Sequence, residues 1–275
     1  MQETLRERQV IKKVKNLRVK GKCCSCVTIV TLMTVLVVFG LGAPSKFSPS
    51  ILGSGVGGHA AREAGKLGMT VRAVARNPDK YSECFKDSPG VTLVKGDVTD
   101  AESVAECLKD ANACIFAVQA ADGVSAMAID RDAAILVAKE CAKVNCKFIL
   151  ISSVYVSAKH RFNPLRMILN TFVKWNMMDA KLESEEAIRK MQGLRYTIIR
   201  PGSLVDKPAV TNEYKIGQGD RLSFPTIPIP KVDVGKVAVA CVTDPESDNV
   251  TFELAGSSSK NVQTVTGLFS KLKKD

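Results

Sequence analysis

The chain has 275 residues, 45% of them hydrophobic and 24% charged, which is ordinary for a globular protein with a sizeable core. Its formal charge of +11 is concentrated at the start, because residues 1–22 hold eight Lys and Arg against two Glu. That leaves +5 for the rest of the chain. Aromatic residues do not interleave with the basic run, as a stacking surface for bases would require, so the composition argues against nucleic-acid binding.

The nine cysteines predict neither a disulfide framework nor a metal centre. Six of them are scattered, mostly within apolar runs, and are expected as reduced core residues. The cluster of Cys23, Cys24 and Cys26 has no second cysteine pair nearby, and the chain has only two histidines. A closed zinc site usually needs four ligands, so thiol acylation or a plain reduced cluster is favoured instead.

Residues 1–33 form a basic leader followed by an apolar segment, and the whole run 23–45 carries no charge. Three interpretations compete: the apolar part of a signal peptide, a membrane anchor with its positive flank inside, and a buried β-strand. The fold argument below favours a strand over 34–40, because the first strand of a doubly wound sheet is buried on both faces. An excursion over 41–50 would then lead to the glycines. The alternative is a true anchor with a shortened first strand over 50–52.

Beyond residue 50, predicted strands and helices alternate. The strands are predicted over 70–77, 91–97, 113–120, 147–154, 195–202 and 250–256, and the helices over 100–111, 123–145 and 163–192. This alternation predicts an α/β domain over 34–256, a Rossmann-type doubly wound parallel sheet covered on both faces. Within it, the Pro- and Gly-rich residues 203–235 predict a small irregular lobe at the carboxyl edge, where such folds bind ligands. Residues 257–275 predict a polar tail.

The sequence GSGVGG at residues 53–58 matches the G-x-G-x-x-G pattern of dinucleotide-binding turns. Such glycines permit a tight turn and let a pyrophosphate reach the N–H groups that open the next helix. A helix of small residues and then a strand follow at the expected distance. We therefore expect cofactor contacts from Gly53, Ser54, Gly55, Gly57 and Gly58.

The end of the second predicted strand indicates the type of cofactor. An acidic side chain there would bind the ribose 2′-hydroxyl of NAD, but the sequence VRAVARNPDK instead supplies Arg72 and Arg76. A guanidinium suits a 2′-phosphate through bidentate, charge-assisted hydrogen bonds. Arg72 is better read as a solvated surface charge, so the pattern favours NADP, bound through Arg76.

Five motifs occur in order: VRAVARNP, GDVTD, FILISSV, NPL and GLRYTIIRPGSLVDKP. Together they resemble the atypical short-chain dehydrogenase/reductase group, in its NmrA-like and biliverdin-reductase-like members, over residues 51–256. Many of those members are plastid or cyanobacterial proteins. The glycine loop is one residue shorter than the usual G-x-x-G-x-x-G of that group. The resemblance implies that the adenine lies beside Asp97 and Val98, the ribose beside Ala117 to Gln119, and the nicotinamide beside Pro201 and Gly202.

Active reductases of this superfamily use a Tyr placed four residues before a Lys on the helix after the fifth strand. Here Lys181 lies in that helix, but Met177 occupies the position of the Tyr, and a thioether cannot transfer a proton. Tyr155 and Lys159 have the right spacing but begin at a strand end, so we interpret that match as coincidental. Tyr155 is still expected to border the pocket.

Ser152 and Ser153 end the predicted strand 147–154, where a hydroxyl can bind cofactor or substrate; simple solvation of a strand end explains them equally well. The catalytic candidates are therefore Lys181, Ser153 and Tyr155, and Ser152 and Lys181 are also candidate cofactor contacts.

These observations predict an NADP-binding oxidoreductase-like protein that passes a hydride from NADPH to a small or aromatic acceptor beneath the lobe 203–235. The alternative is a non-catalytic NADP-responsive scaffold or assembly factor, which the missing Tyr favours. The expected partners are a small-molecule substrate and a membrane reached through residues 1–43, with no metal and no nucleic acid. The leader indicates an organelle or a membrane surface, and the resemblance suggests a plastid; the cytoplasm is the alternative.

Overall fold

The structure, a computed structural model, describes residues 36–39, 55–121, 123–209, 214–222, 227–257, 265 and 267–275. All of them belong to the unit Leu32–Asp275. The predicted leader over 1–33 and the excursion over 41–50 lie outside the described residues, as does the alternative short strand over 50–52. Among the described helices, none has both the length and the apolar character needed to cross a membrane.

Ten strands are described, and eight of them form one sheet. They are β1 (Leu36–Phe39), β2 (Val71–Ala75), β3 (Val91–Lys95), β4 (Ala113–Phe116), β5 (Lys147–Ile151), β6 (Tyr196–Pro201), β7 (Leu204–Val205), β8 (Tyr214–Gly217), β9 (Ile229–Pro230) and β10 (Val250–Gly256). The order in the sheet is β3-β2-β1-β4-β5-β6-β10-β8. Every residue of β4, β5 and β6 is buried, as strands covered on both faces must be. This order confirms the predicted α/β, Rossmann-type doubly wound fold.

The direction of β1 departs from the prediction. β1 lies between β2 and β4, as expected for the strand predicted over 34–40, but it runs antiparallel to both. Phe39 pairs with Val71, the first residue of β2, so β1 ends at the amino edge of its neighbours. The predicted parallel direction is therefore wrong. A continuous apolar run indicates burial on both faces, but it carries no information about strand direction.

Helices cover both faces of the sheet. They are α1 (Val56–Lys66), α2 (Ser82–Phe85), α3 (Ala101–Leu108), α4 (Ala134–Lys143), α5 (Pro164–Ile168), α6 (Met177–Arg189) and α7 (Lys231–Thr243). Asp100 caps α3 by accepting hydrogen bonds from the backbone N–H groups of Glu102 and Ser103. Asn163 caps α5 in the same way, with Pro164 at the first helical position.

Two predicted helices are interrupted. The helix predicted over 123–145 opens with a π-helical turn, Met127–Ala133, before α4. The helix predicted over 163–192 divides into α5, a π-helical turn at Leu169–Val173, and α6. The second break involves Lys174, whose backbone is extended (φ −155°, ψ 126°), and Asn176, whose backbone is left-handed (φ 59°). π-Helical turns often occur at functional sites.

The lobe predicted over 203–235 is more regular than expected. β7 and β9 form a parallel pair, β8 joins the main sheet antiparallel to β10, and residues 231–235 already belong to α7. The residues predicted as a polar tail also pack on the sheet at their end. Phe269 is buried against Phe252, with ring centroids 5.8 Å apart.

Candidate functional site

The site lies at the carboxyl edge of the parallel strands, where α1 begins. Gly55 precedes α1 with φ −76° and ψ 171°, a conformation that any residue adopts. A Cβ on Gly55 would find its nearest atom, the Gly57 nitrogen, at 4.0 Å. Neither backbone strain nor packing in the described part of the chain therefore requires glycine here. The space suits a ligand that approaches the backbone closely.

The first turn of α1 fits an anionic ligand. No side chain in the described part of the chain caps this turn, and the turn contains no acidic residue. Its N–H groups and the positive end of the helix dipole favour a phosphate group. Gly57 and Gly58 are buried within this turn, whereas Gly53 and Ser54 lie outside the described residues. The residues present thus fit the pyrophosphate of a dinucleotide.

α7 packs closely against the start of α1. A Cβ on Gly235 would lie 2.8 Å from the Ala60 nitrogen and 3.1 Å from the His59 Cβ. Only glycine permits this approach of the two backbones. His59 is half-buried rather than fully exposed, and burial, followed by the charge of Arg62, lowers its pKa. His59 therefore adds no positive charge near the glycine loop at neutral pH.

The two arginines of the second strand have different surroundings. Arg72 donates a hydrogen bond to the backbone carbonyl of Lys109, just after α3. Arg76 follows the last residue of β2 at the carboxyl edge, is exposed, and forms no hydrogen bond or ion pair with a described residue. Of the two guanidinium groups, only that of Arg76 is available to a ligand at this edge.

Asp97 and Val98 form the turn after β3. The Asp97 Oδ1 atom accepts hydrogen bonds from the Thr99 nitrogen at 2.9 Å and the Thr99 hydroxyl at 2.7 Å. The Asp97 nitrogen donates to the Ser103 hydroxyl, and the Val98 side chain is buried. The turn is therefore fixed by its own side chains, while Asp97 Oδ2 has no hydrogen bond to a described residue.

The loop after β4 contacts the start of α6. Ala117 is half-buried, and Gln119 is exposed, with its Nε2 atom 3.3 Å from the Met177 sulfur. This contact places Met177, the residue at the position of the missing Tyr, beside the segment expected to border the ribose. A thioether accepts a weak hydrogen bond but cannot supply a proton.

Lys181 is buried in an ion pair that the sequence analysis did not find. Its Nζ atom lies 2.9 Å from Oδ1 of Asp130, a buried residue of the first π-helical turn. The other oxygen of Asp130, Oδ2, accepts a hydrogen bond from the Ala120 nitrogen at 3.1 Å. The carboxylate thus links Lys181 to the loop after β4. An aspartate within the apolar sequence AMAID was the signal that could have revealed it.

Ser152 is part of a buried charged network. Its hydroxyl donates to Oε1 of Glu185 at 2.5 Å, and Glu185 also pairs with Arg200 and Arg189. Arg200 extends the network to Asp220 in the lobe, at 3.0 Å. Burial opposes the charge of Arg200, but its hydrogen bonds with Glu185 and the charges of Glu185, Asp220 and Glu253 together outweigh this effect and raise its pKa. The Ser152 hydroxyl therefore forms its hydrogen bond within the protein interior.

Ser153 and Tyr155 are placed differently. Ser153 is half-buried, and its hydroxyl forms no hydrogen bond with a described residue. Tyr155 is buried with a left-handed backbone (φ 63°), its ring lies edge-on to His160 at 5.0 Å, and burial raises its pKa. Lys159 reaches the carbonyl of Gly219 instead of the Tyr155 hydroxyl. Of Ser153 and Tyr155, only Ser153 has a partly exposed side chain.

Pro201 ends β6, Gly202 follows it, and both form backbone hydrogen bonds. The Pro201 carbonyl accepts a hydrogen bond from the Val154 nitrogen at 3.1 Å, and the Gly202 nitrogen donates to the Leu254 carbonyl at 2.8 Å. Both residues are buried. A cavity of about 990 Å³ opens on the lobe side and includes Ser157, Arg200 and Asp220 in its lining. Its lining does not include Gly55, Arg76 or Lys181.

The chain matches a known protein family and is similar to two plant proteins. A sequence model described as NAD(P)H-binding matches residues 53–245. Over 220 residues the chain is 29% identical to an uncharacterized chloroplastic protein of Arabidopsis thaliana, covering 75% of each chain. Over 182 residues it is 31% identical to the chloroplastic protein TIC 62 of Pisum sativum. That match covers 58% of this chain and only 32% of the pea protein.

Solved structures share the fold. A Bacillus halodurans protein provisionally assigned as an NAD-dependent epimerase/dehydratase superposes with a TM-score of 0.66 at 22% identity, covering 81% of this chain and 98% of that chain. A short-chain dehydrogenase/reductase of Veillonella parvula in complex with NADP superposes with a TM-score of 0.58 at 15% identity. That match covers 78% of this chain and 96% of the other. At these identities the likeness concerns the fold alone.

Proposed function

Because the chain belongs to the NAD(P)H-binding family, we propose that it binds NADPH and catalyses hydride transfer from it to a small or aromatic acceptor. The observation that carries the proposal is the start of α1. There, no described atom outside the immediate chain neighbours comes closer than 4.0 Å to a Cβ placed on Gly55, and no described side chain caps the helical turn. The N–H groups of that turn would hold the pyrophosphate.

Arg76 supports NADP over NAD. Its guanidinium is exposed and unpaired among the described residues, at the end of the strand where NAD-dependent members carry an acidic residue. A 2′-phosphate there would gain charge-assisted hydrogen bonds from Arg76. Asp97, through its unused Oδ2 atom, would accept a hydrogen bond from the adenine amino group at the same end of the site.

The chain's own residues would orient the acceptor rather than protonate it. When bound, NADPH supplies the hydride. The hydroxyl of Ser153 is free to donate a hydrogen bond to an acceptor oxygen at the end of β5, and water can supply the proton that Met177 cannot. Positioning alone lowers the barrier of such a transfer.

A second candidate is a non-catalytic protein that responds to NADP. The contact between Met177 and Gln119 and the ion pair between Lys181 and Asp130 favour it. Met177 and Lys181 stand at the two positions of the usual Tyr-Lys pair, and each contacts another side chain of the protein. We also propose a plastid location, because both plant relatives are chloroplastic.

The deciding experiment is a titration of the full-length protein with NADPH and with NADH, followed by nucleotide fluorescence. The variant Arg76→Ala is expected to weaken NADPH binding about tenfold, the low end for a charge-assisted hydrogen bond, because Arg76 is exposed. NADH binding should not change. Arg72→Ala is the matched control, since its guanidinium is bound to Lys109, and it should bind both nucleotides normally. Equal losses for both nucleotides in Arg76→Ala would remove the basis for NADP.

Turnover separates the two candidate functions. Quinones and flavins are added to the NADPH complex, and the decay of NADPH fluorescence is recorded. Decay that depends on the protein supports the reductase, whereas binding without decay supports the scaffold. If neither nucleotide binds, as shown by a flat calorimetric trace, both candidates are excluded.

A further inference from the structure

The segment 162–175, hereafter the apolar segment, exposes large hydrophobic side chains to solvent. Six of the ten exposed large hydrophobic residues in the described part of the chain lie within it: Phe162, Met167, Ile168, Phe172, Val173 and Trp175. Phe162 is 85% exposed, Phe172 82% and Trp175 69%. Single exposed apolar residues are common on soluble proteins, but such a concentration indicates an interaction surface.

The exposure is not caused by a loose loop, because polar contacts fix the segment from behind. Buried Arg166 donates to Asp179 at 2.8 Å, and Asn170 donates to the same carboxylate at 2.7 Å. Lys174 donates to the carbonyl groups of Ala120 and Ala121, in the loop after β4. These bonds hold the backbone on the protein, so the apolar side chains remain directed outward.

Along the chain, the charges next to the segment are basic. Residues 141–178 contain no Asp or Glu. Lys159 and Arg161, just before the segment, are exposed, and neither forms an ion pair with a described residue. Arg166 binds the Asp179 carboxylate, and Lys174 binds the carbonyl groups of Ala120 and Ala121. The surface therefore combines aromatic and aliphatic side chains with two exposed cations that form no ion pair with a described residue. Asp179 and Glu183 line a pocket shared with Arg161.

We propose that the apolar segment docks on the surface of an anionic lipid bilayer. Aromatic and aliphatic side chains beside basic residues are the composition of segments that lie in a membrane interface. Acidic headgroups would compensate Lys159 and Arg161, which no acidic residue of the segment can do. A second copy of the chain is a poorer occupant, because apposed segments would bring like charges together. Docking is distinct from the membrane contact predicted for residues 1–43.

The chain provides its own probe, because Trp175 is its only tryptophan. Full-length protein is mixed with vesicles of phosphatidylcholine alone or with phosphatidylglycerol added, and Trp175 emission is recorded. Anionic vesicles should shift the emission to shorter wavelength, and brominated lipid should quench it. Added salt should weaken the effect, since it screens exposed charges. Binding through residues 1–43 alone would leave the emission of Trp175 unchanged.

Variants test the side chains directly. Phe162→Ser and Phe172→Ser should each weaken vesicle binding about tenfold, from the loss of one buried aromatic ring. Because both rings are exposed, thermal unfolding should be unchanged. Leu67→Ser, which removes a side chain 62% exposed outside the segment, is the matched control and should bind vesicles normally.

Three outcomes would overturn the proposal: no spectral shift with anionic vesicles, an equal shift with neutral vesicles, or a shift that rises with protein concentration without lipid. The last would identify a second copy as the occupant, and size-exclusion chromatography would show the oligomer. The result is independent of nucleotide binding, so the docking and the proposed NADPH function can fail separately.

Discussion

The ion pair between Asp130 and Lys181 provides the sharpest test of the site. Asp130 is 2% exposed and Lys181 9% exposed, with 2.9 Å between Oδ1 and Nζ. In Asp130→Asn the side-chain oxygen can still accept from the Ala120 nitrogen, but the buried ammonium loses its counter-charge. Removing one partner of a buried pair costs about 3–5 kcal/mol of unfolding free energy. Lys181→Met should cost a similar amount, because it leaves the carboxylate uncompensated.

The double variant separates a true pair from two independent losses. With both charges removed, neither buried group is left without its counter-charge, so the double variant should cost clearly less than the sum of the two single effects. We expect a coupling energy of about 2–3 kcal/mol, measured by denaturant unfolding of all four proteins. The exposed pair of Glu83 and Lys86 is the matched control, and its coupling should stay below about 1 kcal/mol. Additive single effects at Asp130 and Lys181 would refute the ion pair.

The remaining predictions concern backbone space and buried ionisable groups. Gly55→Ala should leave unfolding unchanged but weaken NADPH binding, whereas Gly235→Ala should destabilise the fold because its Cβ meets the α1 backbone. Burial raises the pKa of Asp233, so ionisation of this carboxyl group is unfavourable in the folded state. The free energy of unfolding therefore falls as the pH rises through the folded-state pKa. Asp233→Asn should therefore raise the melting temperature at pH 7 and have less effect in acid. Alkylation with peptide mapping should label exposed Cys84 before Cys107, whose pKa burial raises to about 11.

The sequence predicted the fold well where local patterns determine it. The apolar runs at β4, β5 and β6 are continuous because both faces are covered, and that burial is observed. The alternation of strands with helices indicated a sheet covered by helices. The direction of β1 could not be predicted, because a run buried on both faces is apolar whichever way it points. The break before α6 depends on the backbone conformations of Lys174, which is extended, and Asn176, which is left-handed, and no periodicity reveals them.

The candidate site was predictable only in part. Gly55 and Arg76 are recognisable by motif and by position at a strand end, and the structure leaves both accessible at the carboxyl edge. Asp130 and Glu185 were missed, because each acts through a residue 51 or 33 positions away along the chain in the pairs Asp130–Lys181 and Ser152–Glu185. Contacts of that separation arise from the packing of α6 against the first π-helical turn and the sheet, and they leave no local pattern.

Three cationic side chains at the carboxyl edge are already bound to other groups of the protein. Lys174 is bound to backbone carbonyls, Lys181 to Asp130, and Arg200 to Glu185 and Asp220. An anion that recruited any of these three would have to break a bond within the protein and leave a buried partner unsatisfied, which costs several kcal/mol. Arg76, at the same edge, forms no hydrogen bond or ion pair with a described residue and carries no such cost. An added phosphate on the adenosine half of a dinucleotide would therefore be recognised by Arg76, and a variant at this one position should change nucleotide preference without disturbing the fold.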